Sequence, residues 1–254
     1  MHIFRIQLAK ELRELWRTKK LLIVVAVLVL FGLMSPVLAK ITPDLLESMG
    51  ENQMQGVTIT IPEPTQKDAI DQFVKNTTQF GLLLAVLMSF GVIVGEKERG
   101  QAALMLPHPL PRPVFVLAKF AALAILFALG LILAGLGAYI YTVLLFSAPD
   151  AGGFVAMIVL LYVWLLTLVG VSVLASTLGR SMTGAGGLAF LFVVVLLLSS
   201  VFTHLAPGEL TGWGSALAAG TGGPDRWGAL SVSLLTTVLA VGASCLVLQR
   251  QEIG

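Results

Sequence analysis

Long uncharged apolar runs alternate along this chain with short polar segments. Six runs stand out, at residues 21–39, 79–95, within 114–146, 154–178, 181–203 and 227–248. About 20 apolar residues carry a helix across the hydrocarbon core of a bilayer. A soluble core has no use for so many runs of that length. The pattern predicts an all-α membrane protein with six transmembrane helices. Away from the ends of the runs, Lys119 is the one charge, near the start of the third. Residues 120–149 hold 30 uncharged positions in a row, so the third helix must tilt or extend beyond the bilayer.

Composition sharpens this reading. Hydrophobic residues make up 57% of the chain, charged residues 12%, and mean hydropathy is +0.93. Soluble domains carry about 25% charge. A net charge of +2, with no single basic patch, excludes a nucleic-acid partner. The lone cysteine, Cys245, excludes an internal disulfide and any multi-cysteine metal site. Residues 1–20 contain six Lys or Arg and two Glu, and the following run lacks a small-residue cleavage site. That is not a signal peptide, so the first span is expected to remain in the mature protein.

Lys and Arg set the orientation. With the N-terminus inside, twelve of the sixteen fall on inner segments, while Lys40, Lys67, Lys75 and Arg226 fall outside. This predicts both termini in the cytoplasm and an even number of spans.

The polar segments have characters of their own. In residues 1–20, Phe4, Leu8, Leu12, Leu15 and Trp16 share one helical arc, interrupted by Arg5, and Lys10, Glu11, Arg13, Glu14 and Arg17 lie elsewhere. This predicts a helix lying in the inner interface with its basic side toward anionic headgroups. A solvated helix ending in stop-transfer charges is the alternative. In the outer loop, residues 40–78, "VTITIPEP" alternates with period two before its prolines. "TPDLLESM" and "TQKDAIDQFVKN" read as short helices, the first N-capped by Thr42 with Pro43 at the next position. Residues 204–227 are moderately apolar, Gly-rich and too broken to span, which predicts an outer re-entrant or surface-lying element.

Several chemistries are excluded. No G-x-x-x-x-G-K-[ST] motif occurs, so the chain has no P-loop of its own. His2, His108 and His204 lie at or near both faces and offer no metal site. Ser199 and Ser200 lie near His204 without a nucleophile motif, and membrane serines more often bond within or between helices. The spans are expected to hold no buried charge, which disfavours coupling to an ion gradient. Gly91-x-x-x-Gly95 suits close helix packing, though among 26 glycines such spacings carry little weight.

If the chain serves transport, its energy source must lie on another polypeptide, which makes residues 96–113 the segment of interest. Residues 96–106 contain no proline, begin with Glu96, Lys97, Glu98 and Arg99, and end in "AALML". "PHPLPRP" then breaks the helix, and Pro113 can open the next one. A short cytoplasmic helix with one charged and one apolar end can seat in a partner's groove. A plain connector with stop-transfer charges is the alternative.

Glu96, Glu98, Gly100, Leu104-Met105-Leu106, Pro109, Arg112 and Lys119 together resemble a segment that follows the second span of ABC-2 type permeases. These are membrane subunits of one class of ATP-binding-cassette transporters. The family segment runs E-x-E-x-G-T, L-L, P-[VIL]-S-R, G-K. This chain departs from it at Gln101, Pro111 and Ala118.

The resemblance implies one permease domain over residues 1–254. Its parts are an interfacial helix at 1–20, a coupling helix within 96–113 and an outer element at 204–227; the extracytoplasmic loop at 40–78 is read from this sequence and is not a general feature of the family. It implies a multi-pass protein of a prokaryotic plasma membrane and two permease copies, or this chain with a sister permease. Two cytoplasmic ATPases would hold ATP and Mg, and this chain would carry no cofactor and no catalytic residue. Glu96, Glu98, Arg99, Gly100, Leu104, Leu106, Pro109 and Arg112 would couple to the ATPase. A substrate path near spans two and five would pass Gln79, Phe80, Met88, Ser199, Ser200 and Phe202. Export is favoured over import, since nothing suggests docking of a soluble binding protein. Uncharged spans favour an apolar or amphipathic cargo. The rival class is a non-transporting membrane scaffold or assembly factor that recruits a cytoplasmic partner through the same loop.

Overall fold

The computed structural model describes residues 2–53, 63–98, 111–222 and 224–251. Among them every regular element is a helix: α1 (His2–Arg17), α2 (Lys20–Gln53), α3 (Gln66–Ser89), α4 (Val94–Glu98), α5 (Arg112–Leu145), α6 (Ala151–Leu178), α7 (Met182–Phe202), α8 (Glu209–Ala218) and α9 (Trp227–Arg250). Among the described residues six helical stretches are long and apolar enough to cross a membrane: Lys20–Pro43, Gln66–Glu98, Arg112–Leu145, Ala151–Leu178, Met182–Phe202 and Trp227–Arg250. Each overlaps one of the six runs read from the sequence, the second beginning well before its run, at Gln66.

Span four, α6, is the hub. A helix that is apolar all round suits either a bundle core or lipid, and packing decides which. The most apolar stretch of α6 is 67% buried, against 17% for α7 and 28% for α9. Small and hydroxyl residues let α9 approach it. Thr237 donates to Thr167 at 3.2 Å, and Thr167 donates to the Ser233 carbonyl at 3.3 Å. Contacts of this kind hold helices together where lipid removes the hydrophobic driving force. Backbones also meet at two glycines. A Cβ at Gly32 of α2 would stand 2.4 Å from the Ala134 carbonyl oxygen of α5, and one at Gly153 of α6 would stand 2.1 Å from that of Leu217. The outward faces are apolar, with Phe190, Val195 and Val201 on α7 and Leu235, Val238 and Leu239 on α9 exposed. That is the surface expected to face lipid or another membrane chain.

Two local expectations are corrected. Thr42 does not cap a new helix. It lies inside α2, which continues through Pro36 and Pro43, and its hydroxyl donates back to the Leu38 carbonyl at 2.6 Å. Prolines are tolerated inside such spans because hydroxyls and neighbouring helices satisfy the freed backbone groups. "TQKDAIDQFVKN" is likewise no separate helix but the first turns of α3. Its start is fixed at Thr65, whose N–H and hydroxyl both donate to the Asp68 carboxylate at 2.7 Å. These turns pack inward. Phe73, Asn76 and Thr77 are buried, and Asn76 donates to Ser35 of α2 at 2.9 Å. Residues 57–62 of "VTITIPEP" lie outside the described residues.

Between spans five and six the Gly-rich segment forms α8. It buries Leu210, Trp213 and Ala218, and Ser215 donates to Asp71 of α3. Trp213 meets Trp227 edge to face, with ring centroids 5.2 Å apart.

Candidate functional site

The helix ends on the side of the N-terminus converge around Lys119. Pro113 sits in the first turn of α5, where its fixed φ suits the helix and a missing N–H costs nothing. Two turns later Lys119 is 2% exposed. Its ammonium donates to Glu96 Oε1 at 2.6 Å and to Glu11 Oε2 at 3.0 Å. It also lies 4.9 Å from the Phe115 ring centroid, one turn back on the same face. Gln7 supports Glu11 with a 3.0 Å hydrogen bond to Oε1, and the half-buried Lys10 lies 3.4 Å from the same oxygen. One side chain thus ties three segments far apart in sequence: α1, α4 and α5. The expectation of no buried charge within a span is corrected here.

Two ammonium groups, of Lys119 and Lys10, face the carboxylates of this group among the described residues. The carboxylates of Glu11, Glu14 and Glu96 approach within 4.8 Å of one another, a spacing a cation could use. The ammonium of Lys119 already stands between Glu11 and Glu96, with Lys10 alongside.

Neighbouring contacts fasten both ends of the segment that joins α3 to α5. The chain breaks helix after Ser89 and restarts at Val94. Helix starts leave N–H groups without intrahelical acceptors. Here Ser176 of α6 takes two, from Ile93 at 2.9 Å and Val94 at 3.1 Å. Lys97 donates to the Thr177 carbonyl at 2.7 Å and to Gln251 Oε1 at 2.6 Å. Glu98 accepts from the Met182 N–H at 2.9 Å, which places a carboxylate at the start of α7, where the helix dipole favours it. At the far end, Arg112 Nη1 donates to the carbonyls of Leu248, Gln249 and Gln251 at 3.1, 2.9 and 2.9 Å and so caps α9.

Of the residues assigned to coupling from the sequence, Glu96, Glu98 and Arg112 are brought to this platform. Each turns to another helix of the same chain. Arg99, Gly100, Leu104, Leu106 and Pro109 lie outside the described residues. The residues assigned to a substrate path are spread along two helices. Gln79 is exposed, Met88 is half-buried, and Phe80 stacks on Phe31 with centroids 3.7 Å apart. Ser199 and Ser200 bond to the carbonyls of Leu196 and Leu197 on their own helix, and Phe202 is 85% exposed.

Sequence reasoning passed over Glu11, Lys97, Ser176 and Gln251. Lys119 was the available signal, because an ionisable side chain inside a span implies a buried partner.

An uncharacterized transmembrane protein of Bacillus subtilis strain 168, YxlG, is 24% identical over 186 residues, covering 73% of this chain and 71% of that protein. Residues 6–212, which contain the whole Lys119 cluster, match the profile of the ABC-2 family transporter proteins. The chain belongs to that family and is a multi-pass membrane subunit of an ABC transporter.

Proposed function

We propose that this permease moves an apolar or amphipathic substrate out of a prokaryotic cell by alternating access, driven by ATP hydrolysis on separate cytoplasmic ATPase subunits. Two permease copies, or this chain with a sister permease, form the membrane unit, and two ATPases dock beneath it with ATP and Mg. Both termini lie in the cytoplasm, consistent with the excess of Lys and Arg on that side.

The observation that carries this reading is the buried contact of Lys119 with Glu96 and Glu11. It joins the start of the 96–112 segment to the interfacial helix and to span three, while Arg112 joins its end to span six. A push on residues 99–110 would therefore reach several spans at once. Leu104 and Leu106 are the apolar anchors for a groove on the ATPase. Glu96, Glu98 and Arg112 hold the platform in register rather than supplying affinity. The substrate would pass along the faces of α3 and α7 that carry Gln79 and Phe202.

The test is capture of the ATPase by permease carrying Leu104→Asp and Leu106→Asp. Burying two carboxylates in an apolar groove costs several kcal/mol, so binding should fall at least a hundredfold while insertion and folding are kept. Unchanged capture and unchanged ATP turnover in lipid would reduce the segment to a connector, through which neither ATPase coupling nor recruitment of another partner runs.

A further inference from the structure

We infer that the turn between α1 and α2 binds the headgroup of an anionic phospholipid. The inference rests on the membrane reading of the chain and is independent of the coupling to an ATPase. Two clefts adjoin at this turn and share Arg17. One, of about 390 Å³, is lined by Trp16, Arg17, Lys19 and Leu22. The other, of about 580 Å³, is lined by Lys10, Arg13, Glu14, Arg17 and Thr18. Four cations and one carboxylate therefore surround the pair.

Backbone geometry builds the site. Lys19 has φ of 58°, the left-handed region that side chains other than glycine rarely adopt. The turn is held by hydrogen bonds from the Thr18 N–H to the Glu14 carbonyl at 2.9 Å and from the Lys19 N–H to the Trp16 carbonyl at 3.1 Å. The Thr18 hydroxyl adds a 2.7 Å bond to the Glu14 carbonyl. This left-handed residue lets an interfacial helix pass into a span within two residues. It sets Lys19 beside Arg17 at the level where the chain enters the bilayer.

The apolar neighbours select the ligand class. Trp16 is 70% exposed and Leu22 is 62% exposed, directly beside the cations. A free anion would gain nothing from them. A phospholipid presents both halves at the matching depth: a phosphodiester for the fork of Arg17 and the ammonium of Lys19, and acyl chain for Leu22 and the indole.

The experiment is native mass spectrometry of the full chain in mild detergent, titrated with phosphatidylglycerol or phosphatidylcholine. The unsubstituted protein is expected to retain phosphatidylglycerol preferentially. Arg17→Gln with Lys19→Gln is expected to weaken its tightest site roughly thirtyfold, while the charge-preserving pair Arg17→Lys and Lys19→Arg keeps most of the affinity. Arg180→Gln, at an exposed cation elsewhere, should leave it unchanged. Equal loss in the Arg180 variant, or none in the double Gln variant, would overturn the assignment. Displacement of the lipid by millimolar inorganic phosphate would reassign the clefts to a free anion. Unchanged lipid binding combined with lost ATPase capture would reassign them to a protein partner.

Discussion

Replacing Lys119 with methionine removes the one cation that stands between two buried carboxylates while keeping most of the stem volume. Glu96 and Glu11 are 8% and 5% exposed, so neither can recover full hydration. Their contacts to the ammonium, at 2.6 and 3.0 Å, are lost together. Removing one partner of a buried ion pair costs about 3–5 kcal/mol, because an uncompensated charge stays behind. Here two carboxylates stay behind, with Lys10 alone nearby, so the upper part of that range applies. At a few degrees per kcal/mol for a chain of this size, the apparent Tm in detergent should fall on the order of 10 °C. The triple variant Lys119→Met, Glu96→Gln, Glu11→Gln removes all three buried charges, leaving only the more exposed Lys10 and Glu14. It should recover most of the loss, since a neutral replacement of a buried cluster is often tolerated. Thermal unfolding followed by size-exclusion chromatography measures all three proteins. A Lys119→Met protein as stable as wild type would show that water or lipid headgroups reach the carboxylates and that no buried lock exists.

Arg112→Ala should fray the end of α9, raising amide exchange across residues 248–251 while the centre of the bundle stays protected, at a cost of about 1–3 kcal/mol for the lost charged hydrogen bonds. Gly153→Val should disrupt the seat of α8 on α6, because the new Cβ would meet the Leu217 carbonyl; loss of monodisperse protein, or a Tm drop matching about 1–3 kcal/mol or more, is the expected readout. With Cys245 replaced, cysteines at the exposed positions Ala148 and Asp225 should react with an impermeant thiol reagent in whole cells, and one at exposed Arg180 should not. Labelling of 148 and 225 from opposite sides would contradict six spans.

The spans were legible because uncharged runs of membrane length leave no competing fold. The hub role of α6 was not, because α7 also lacks a polar face and yet is 17% buried against 67%. What escaped was non-local. Glu96, Glu98 and Arg112 read as charges offered to a partner, because their acceptors and donors lie 84 to 139 residues away, or 23 in the case of Lys119. No local pattern announces that Glu11 on the first helix faces Lys119, 108 residues on. Thr42-Pro43 failed for the opposite reason. The local cap signal was real, but a helix already satisfied through Leu38 does not stop for it. Thr65-x-x-Asp68 is a capping signal four residues long, and it could have placed the start of span two correctly.

The coupling of ATP hydrolysis to span movement through the Lys119 cluster is tested most directly by one distance. Spin labels on cysteines at Gln79 and Phe202, exposed positions on α3 and α7, report the relative movement of spans two and five in the permease–ATPase complex in lipid. In the Cys245-free protein, trapping the ATPase with ATP and Mg should shift the distance distribution away from the nucleotide-free one. In the charge-neutral triple variant, with stability recovered and the ATPase still bound, the shift should be lost. A shift of the same size in the triple variant would contradict coupling through Lys119, Glu96 and Glu11.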